Sequence, residues 1–163
     1  MAKSKYTRRD YTIEEAAYVA GLMDGVGTFF IGNYGANPEA FFQIYIKISS
    51  TDKCMIEWVY NTFGGAMREY HSTQMEKKGK GPVYIWCCSG DRLTHLCEIM
   101  IPYLVAKKEQ AEILLEIRKT YQGAQHVKGK FGVQRVPKEV CNTRTELMKR
   151  LQSLHCRNQK VPK

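Results

Sequence analysis

The residues of this sequence best suited to chemistry are polar and aromatic side chains set two apart. Gln43, Tyr45, Lys47 and Ser49 alternate with Phe42, Ile44, Ile46 and Ile48. A period of two puts each set on its own face of a β-strand. One face packs on a core, and the other presents groups that donate, accept, stack and carry positive charge. Arg68 and Tyr70 pair in phase on a later segment, as do Tyr84 and Trp86, with Lys77, Lys78 and Lys80 in a Lys/Gly-rich stretch between them. Such side chains can reach base edges, while lysine and arginine neutralise phosphates. Lysines at a hairpin tip touch phosphates rather than read bases. The ordinary solvated face of an antiparallel sheet has the same alternation, so alternation alone does not separate the two. Equally, the lysines also fit a solvated loop, and a register shift of one residue would put Trp86 in the core.

Composition narrows the choice. The chain has 163 residues, 44% of them hydrophobic and 11% aromatic, with a formal net charge of +9. Its isoelectric point is near 9.3. One globular domain is expected, and its charge fits either a polyanionic partner (DNA, RNA or an anionic membrane) or a soluble protein that is simply basic. No apolar run approaches the roughly 18 residues that span a bilayer. The basic stretch Met1–Arg9 lacks the apolar segment of a signal peptide. An intracellular protein, in cytoplasm or organelle, with no membrane partner is expected. Cys54, Cys87, Cys88, Cys97, Cys141 and Cys156 form no CxxC pair. Free thiols in a reducing compartment are the simpler reading than a zinc site.

The elements that position these residues can be read in turn. After a basic arm over residues 1–11, Thr12 and Glu15 have the spacing of a capping box. The helix they open is expected to run to about Asp24 and to end at Gly25 and Gly27. Ala17, Gly21 and Gly25 recur every four residues along it, with Ala16 and Ala20 beside them. Side chains this small let a second helix backbone approach closely. Thr28 to Tyr34 and Phe41 to Ser49 then read as a long hairpin around Gly35-Ala36-Asn37-Pro38. A helix follows from about Asp52 to Phe63, stopping at Gly64-Gly65. The segments 67–71 and 83–88 form a second hairpin. Helices are expected from near Asp91 to before Pro102, from Ala106 to Tyr121, and from about Thr143 to His155 in a basic C-terminal extension of the domain beginning at residue 12.

Val19-Ala20-Gly21-Leu22-Met23-Asp24-Gly25-Val26-Gly27, continued by Thr28-Phe29, resembles the LAGLIDADG motif of homing endonucleases. Ile48 to Gly64 looks like that family's strand–helix segment, and Ile101 to Ala111 like its Pro-aromatic-Leu, Lys-rich, Gln-Ala segment. The resemblance covers about residues 12–121 and implies an α+β fold of order αββαββα. Its antiparallel four-stranded saddle sheet has helices on one face and DNA on the other. One motif per chain implies a homodimer, with Ala16, Ala17, Ala20, Gly21 and Asp24 at the seam and a pseudo-palindromic double-stranded DNA target. DNA contacts then fall on Thr28, Phe30, Asn33 and Tyr34 of the first hairpin, beside Gln43, Tyr45, Lys47 and the second-hairpin residues named above. The implied activity, used in intron homing, is Mg²⁺-dependent phosphodiester hydrolysis, the metal activating water and offsetting phosphate charge.

The implied catalytic positions are Val26, Ser49 (or Ser50) and Lys107, with Mg²⁺ at the helix end by Gly25. There the chain departs from the family. Members have Asp or Glu where this sequence has Val26, and a valine offers a hard cation no oxygen. Asp24, in the motif, caps the helix end and faces away from the phosphate. Lys107 is kept as an active-site base or phosphate contact; a solvated lysine at a helix start is the plain alternative. Cleavage is therefore expected to be lost or impaired. Natural loss with DNA binding retained, deliberate inactivation, and recruitment to RNA as an intron maturase-like protein all fit the valine. A structural ribonucleoprotein subunit is the remaining alternative.

Overall fold

Thr12 opens the first helix with both halves of its capping box. Its hydroxyl accepts from the Glu15 N–H at 3.2 Å, and the Glu15 carboxylate accepts from the Thr12 N–H at 3.0 Å. The resulting helix α1, Ile13–Val26, runs past the expected end at Asp24 to a cap at Gly27. The Gly27 N–H donates back to Leu22 and Met23, which closes the last turn. Glycine is required at 27 by close approach, since a Cβ there would stand 2.5 Å from Met23 Cα. The computed structural model describes residues 7–33, 42–71, 79, 81–122, 127–128 and 134–157.

The elements then follow in the expected order: β1 (Gly27–Asn33), β2 (Phe42–Ser50), α2 (Lys53–Phe63), β3 (Ala66–Tyr70), β4 (Val83–Cys88), α3 (Gly90–Met100) and α4 (Lys108–Gln122). Two short strands, β5 (Val127–Lys128) and β6 (Gln134–Arg135), were not anticipated, and α5 (Lys138–Arg157) starts earlier than the expected Thr143. The Cys141 N–H donates to Pro137 O at 3.1 Å, so the last helix begins directly behind that proline. The main sheet has strand order β1-β2-β4-β3, with β2 and β3 both antiparallel to β4. The fold is therefore α+β, as the sequence implies. Among the described residues no helix is long and apolar enough to cross a membrane.

The chain divides into two compact units, Met1–Phe29 with Tyr45–Lys108, and Phe30–Ile44 with Glu109–Lys163. In the former, one face of the sheet carries the core. Ile46, Ile48, Trp86 and Cys88 are buried, as are Val19 and Met23 of α1, Ile56, Val59 and Phe63 of α2, and Leu93, Leu96 and Met100 of α3. Helix α2 packs on β3 and β4, and α1 packs on α3. The described part of the N-terminal arm lies against the same helices. Arg8 pairs with Glu98 at 2.9 Å, and the Tyr11 ring stands 4.9 Å from that of Phe63. In the other unit, α4 and α5 bury Ile113, Leu114, Ile117 and Leu151. The buried Arg144 donates to Thr120 Oγ1 at 2.8 Å and lies 4.0 Å from the Tyr121 ring centre. The Tyr121 hydroxyl donates in turn to Phe42 O.

One sequence expectation is corrected in the core. Trp86, expected on the ligand-facing side, is fully buried, and its Nε1 donates to Gly64 O at 2.6 Å. Its cross-strand neighbours are the buried Ile48 and half-buried Met67, which fixes the phase of the whole strand. Tyr84, two residues away, shares that phase and lies opposite Ser50 and Glu69, with Lys53 of α2 above its ring at 5.9 Å. Both aromatics thus belong to the helix side, one residue out of the assumed register. Trp86→Ala is expected to lower the unfolding free energy by about 3–5 kcal/mol, measured by urea titration. A loss below about 1 kcal/mol would contradict the burial.

Candidate nucleic-acid interface

With Trp86 and Tyr84 turned to the helices, alternation puts Val83, Ile85 and Cys87 on the other face of β4. The register aligns this face in rows. Lys47, Cys87 and Ala66 form one, Ser49, Ile85 and Arg68 the next, and Val83 pairs with Tyr70. Tyr45, Lys47 and Ser49 are half-buried, while Arg68 and Tyr70 are exposed. Thr28 is half-buried on β1. The compact unit formed by Met1–Phe29 and Tyr45–Lys108 therefore gathers a cationic, hydroxylic and aromatic set on the sheet face opposite the core. Phe30 and Gln43 belong to the other unit, where Phe30 is half-buried and Gln43 exposed. Tyr34, Lys77, Lys78 and Lys80 lie outside the described residues, as does the side chain of Asn33.

The end of α1 is the second feature of the site. Val26 is its last residue, an apolar side chain 50% exposed. Around it the backbone is held by one lysine and one aspartate. The Lys107 ammonium donates to Met23 O at 2.8 Å and to Gly27 O at 2.7 Å. Positive charge there also suits the negative end of the helix dipole. Burial holds the Lys107 ammonium below the usual lysine pKa, partly offset by the nearby Asp24 carboxylate. Asp24 accepts the Val105 N–H on one oxygen at 2.8 Å and the Lys107 N–H on the other at 2.9 Å. The two residues thus fasten the 105–107 segment to the helix end.

This donor set does not fit a divalent cation. Val26 offers no oxygen, both Asp24 oxygens are engaged, and the neighbouring charge is an ammonium. The Gly25 carbonyl alone would be a poor cage for an ion that takes six or more oxygens. Among the described residues no three His, Cys, Asp or Glu side chains gather to hold a metal. Asp24→Asn is expected to cost about 2–3 kcal/mol of stability, read by thermal unfolding, because an amide NH₂ would face a backbone N–H. An unchanged melting temperature would remove Asp24 from this role.

The positions expected at a dimer seam sort by burial. Ala16 and Ala20 pack inside the chain, 5% and 0% exposed, and are unavailable to a partner. The 100° turn per residue puts them beside the outward stripe instead of on it. Ala17, Gly21 and Gly25 are exposed, with Asp24 half-buried at the edge. A Cβ added at Gly21 or Gly25 would meet nothing within 4 Å. The described residues therefore give no steric reason for glycine there, although each costs a helix about 1 kcal/mol relative to alanine. Ile13, Tyr18 and Val26 are exposed apolar residues on the same helix.

No family model matches this sequence, and no curated protein does. Among solved structures the chain is similar to the homing endonuclease I-CvuI in complex with its target, at 18% identity and a TM-score of 0.66 over 93% of this chain and 85% of that one. It is also similar to the archaeal intron-encoded homing endonuclease I-Vdi141I complexed with DNA, at 13% identity and a TM-score of 0.67 over 86% and 84%. A third similar structure is the LAGLIDADG homing endonuclease I-GzeII in complex with a DNA target, at 17% identity and a TM-score of 0.54 over 85% of this chain and 43% of that one. The chain has the fold of the LAGLIDADG homing endonucleases.

Proposed function

We propose that this chain binds double-stranded DNA in a sequence-specific manner as a homodimer, and that strand cleavage is lost through Val26. The observation that carries the reading is the register of the sheet face opposite the core. It brings Lys47, Ser49, Arg68 and Tyr70 together around the inner strand β4. A right-handed, twisted antiparallel sheet with such groups suits the major groove, where lysine and arginine meet phosphates or guanine and hydroxyls meet either partner of a pair. I-Vdi141I is complexed with DNA and I-GzeII with a DNA target, which favours the same partner here.

The dimer rests on α1. Exposed Ala17, Gly21 and Gly25 give a partner helix room to come within backbone distance, and two-fold symmetry would then set the two sheets side by side. The alignment reaches 85% of I-CvuI but 43% of I-GzeII, so one copy of this chain matches under half of the latter. In the homodimer proposed here, a second copy would stand where the remainder of that chain lies. Hydrolysis needs oxygen ligands at the seam, and Val26 brings none.

Selection of a randomised duplex library, with sedimentation of the free protein, tests this reading. The expected result is a near-palindromic enriched sequence and a particle of twice the 18.8 kDa chain mass. Affinity should also fall steeply as salt rises. A monomer in solution that enriches no duplex would overturn it. Tighter binding to structured intron RNA than to any duplex would move the function to RNA.

A further inference from the structure

We infer that Val83, Ile85 and Cys87 form an apolar ridge that reads the C5 methyl groups of thymine in the major groove. The inference rests on the DNA-binding reading above and deepens it. These three residues lie on the face of β4 opposite the core, β4 is an inner strand of the sheet, and each is half-buried. Their phase is fixed by Trp86 and Cys88, which are buried on the opposite face. Ile85 has polar groups on both sides, Ser49 on β2 and Arg68 on β3; Cys87 lies between Lys47 and Ala66, and Val83 pairs with Tyr70 of β3. An apolar row inside a cationic surround calls for a ligand that is anionic at its edges and offers apolar contact within.

Duplex DNA meets that requirement at one base. In the major groove the thymine methyl is the only apolar group on a base edge, whereas adenine, guanine and cytosine present donors or acceptors there. Isoleucine or valine set against an amino group or carbonyl would strip its water and return no hydrogen bond. The ridge therefore favours thymine and disfavours the alternatives. Residues two apart on a strand are about 6.8 Å apart, and base pairs stack about 3.4 Å apart. Along the groove, the ridge would thus address positions about two base pairs apart, with Arg68 and Lys47 beside them for guanine or phosphate. RNA carries uracil, which lacks this methyl, so the same ridge weighs against RNA.

The test uses the full-length chain and a duplex enriched from the randomised library. Each thymine is replaced in turn by deoxyuridine, which removes one methyl and keeps the pairing. Affinity is expected to fall roughly fourfold for each methyl that the ridge contacts, and to stay unchanged at other thymines. Ile85→Ala, checked for an unaltered melting transition, should bring the thymine-to-uracil ratio at its own position to about one. If the native chain binds every deoxyuridine duplex as tightly as its thymine counterpart, the ridge does not read methyls. The same conclusion follows if Ile85→Ala and Val83→Ala keep the native ratios. A chain that enriches no duplex at all overturns the DNA reading, and this inference falls with it.

Discussion

Val26→Asp should turn this chain into a Mg²⁺-dependent endonuclease, cutting a selected duplex about a thousandfold faster than the native sequence, or about 4 kcal/mol off the barrier. The reasoning is local. Val26 is the exposed last residue of α1, and the backbone on both sides of it is already fixed. Lys107 holds the Met23 and Gly27 carbonyls, and Asp24 holds the N–H groups of Val105 and Lys107. A carboxylate introduced at 26 would meet a prepared helix end, and a two-fold seam would bring a second one beside it. Oxygen ligands are what a hard divalent cation lacks in the native set. The check is parallel digestion with Mg²⁺ and with Mn²⁺. Equal cutting by both proteins would mean that another carboxylate holds the metal, and Asp24 would have to leave two backbone partners to do so. Silence from both would turn attention to RNA.

Gly21→Leu should raise the stability of the isolated chain and abolish its assembly. In the monomer the side chain enters open space, and exchanging glycine for leucine in a helix gains roughly 0.8 kcal/mol. In the dimer proposed above, the same side chain would stand between two helix backbones. One overpacked site costs about 1–3 kcal/mol, so the two symmetric copies together lose about 2–6 kcal/mol. DNA affinity should fall with the dimer, because half-sites would bind singly. Sedimentation and thermal unfolding on one sample decide the matter. A variant that stays dimeric and binds DNA normally would move the seam off α1. A variant that simply unfolds would contradict the open space seen at Gly21.

The sequence made some elements legible and left others dark for physical reasons. The Thr12 and Glu15 spacing announced α1, since a capping box is a local device with both partners in one turn. The face of β2 was legible because Ile44, Ile46 and Ile48 alternate strictly with polar residues. Strand β4 gave no such phase. Val83 to Cys88 is apolar or aromatic at every position, so the register could be set either way. The clue lay at Gly64-Gly65, which reads as a helix stop but is also the seat of the Trp86 indole. Gly65 has φ +101°, and a Cβ on it would stand 2.7 Å from Cys87 O. The missed residues Val83, Ile85 and Cys87 follow once that contact is known. The partners of Asp24 were beyond local reading, because they lie 81 and 83 residues along the chain. For the same reason the sequence could place Lys107 at the site but not show that its ammonium grips carbonyls.

Trp86 has an optical consequence. The chain holds two tryptophans, and their surroundings differ sharply. Trp86 is sealed in the core with its Nε1–H bound to Gly64 O, so its emission should be blue-shifted and should change only when that core opens. Trp58 is 37% exposed and stands edge-on to Tyr18 of α1 at 4.7 Å, on the helix that carries the exposed small-residue stripe. Its emission and its access to a soluble quencher should respond to what happens along that helix. Replacing one indole at a time with phenylalanine would separate the two signals, giving this molecule its own internal reporters of folding and of association without any added dye.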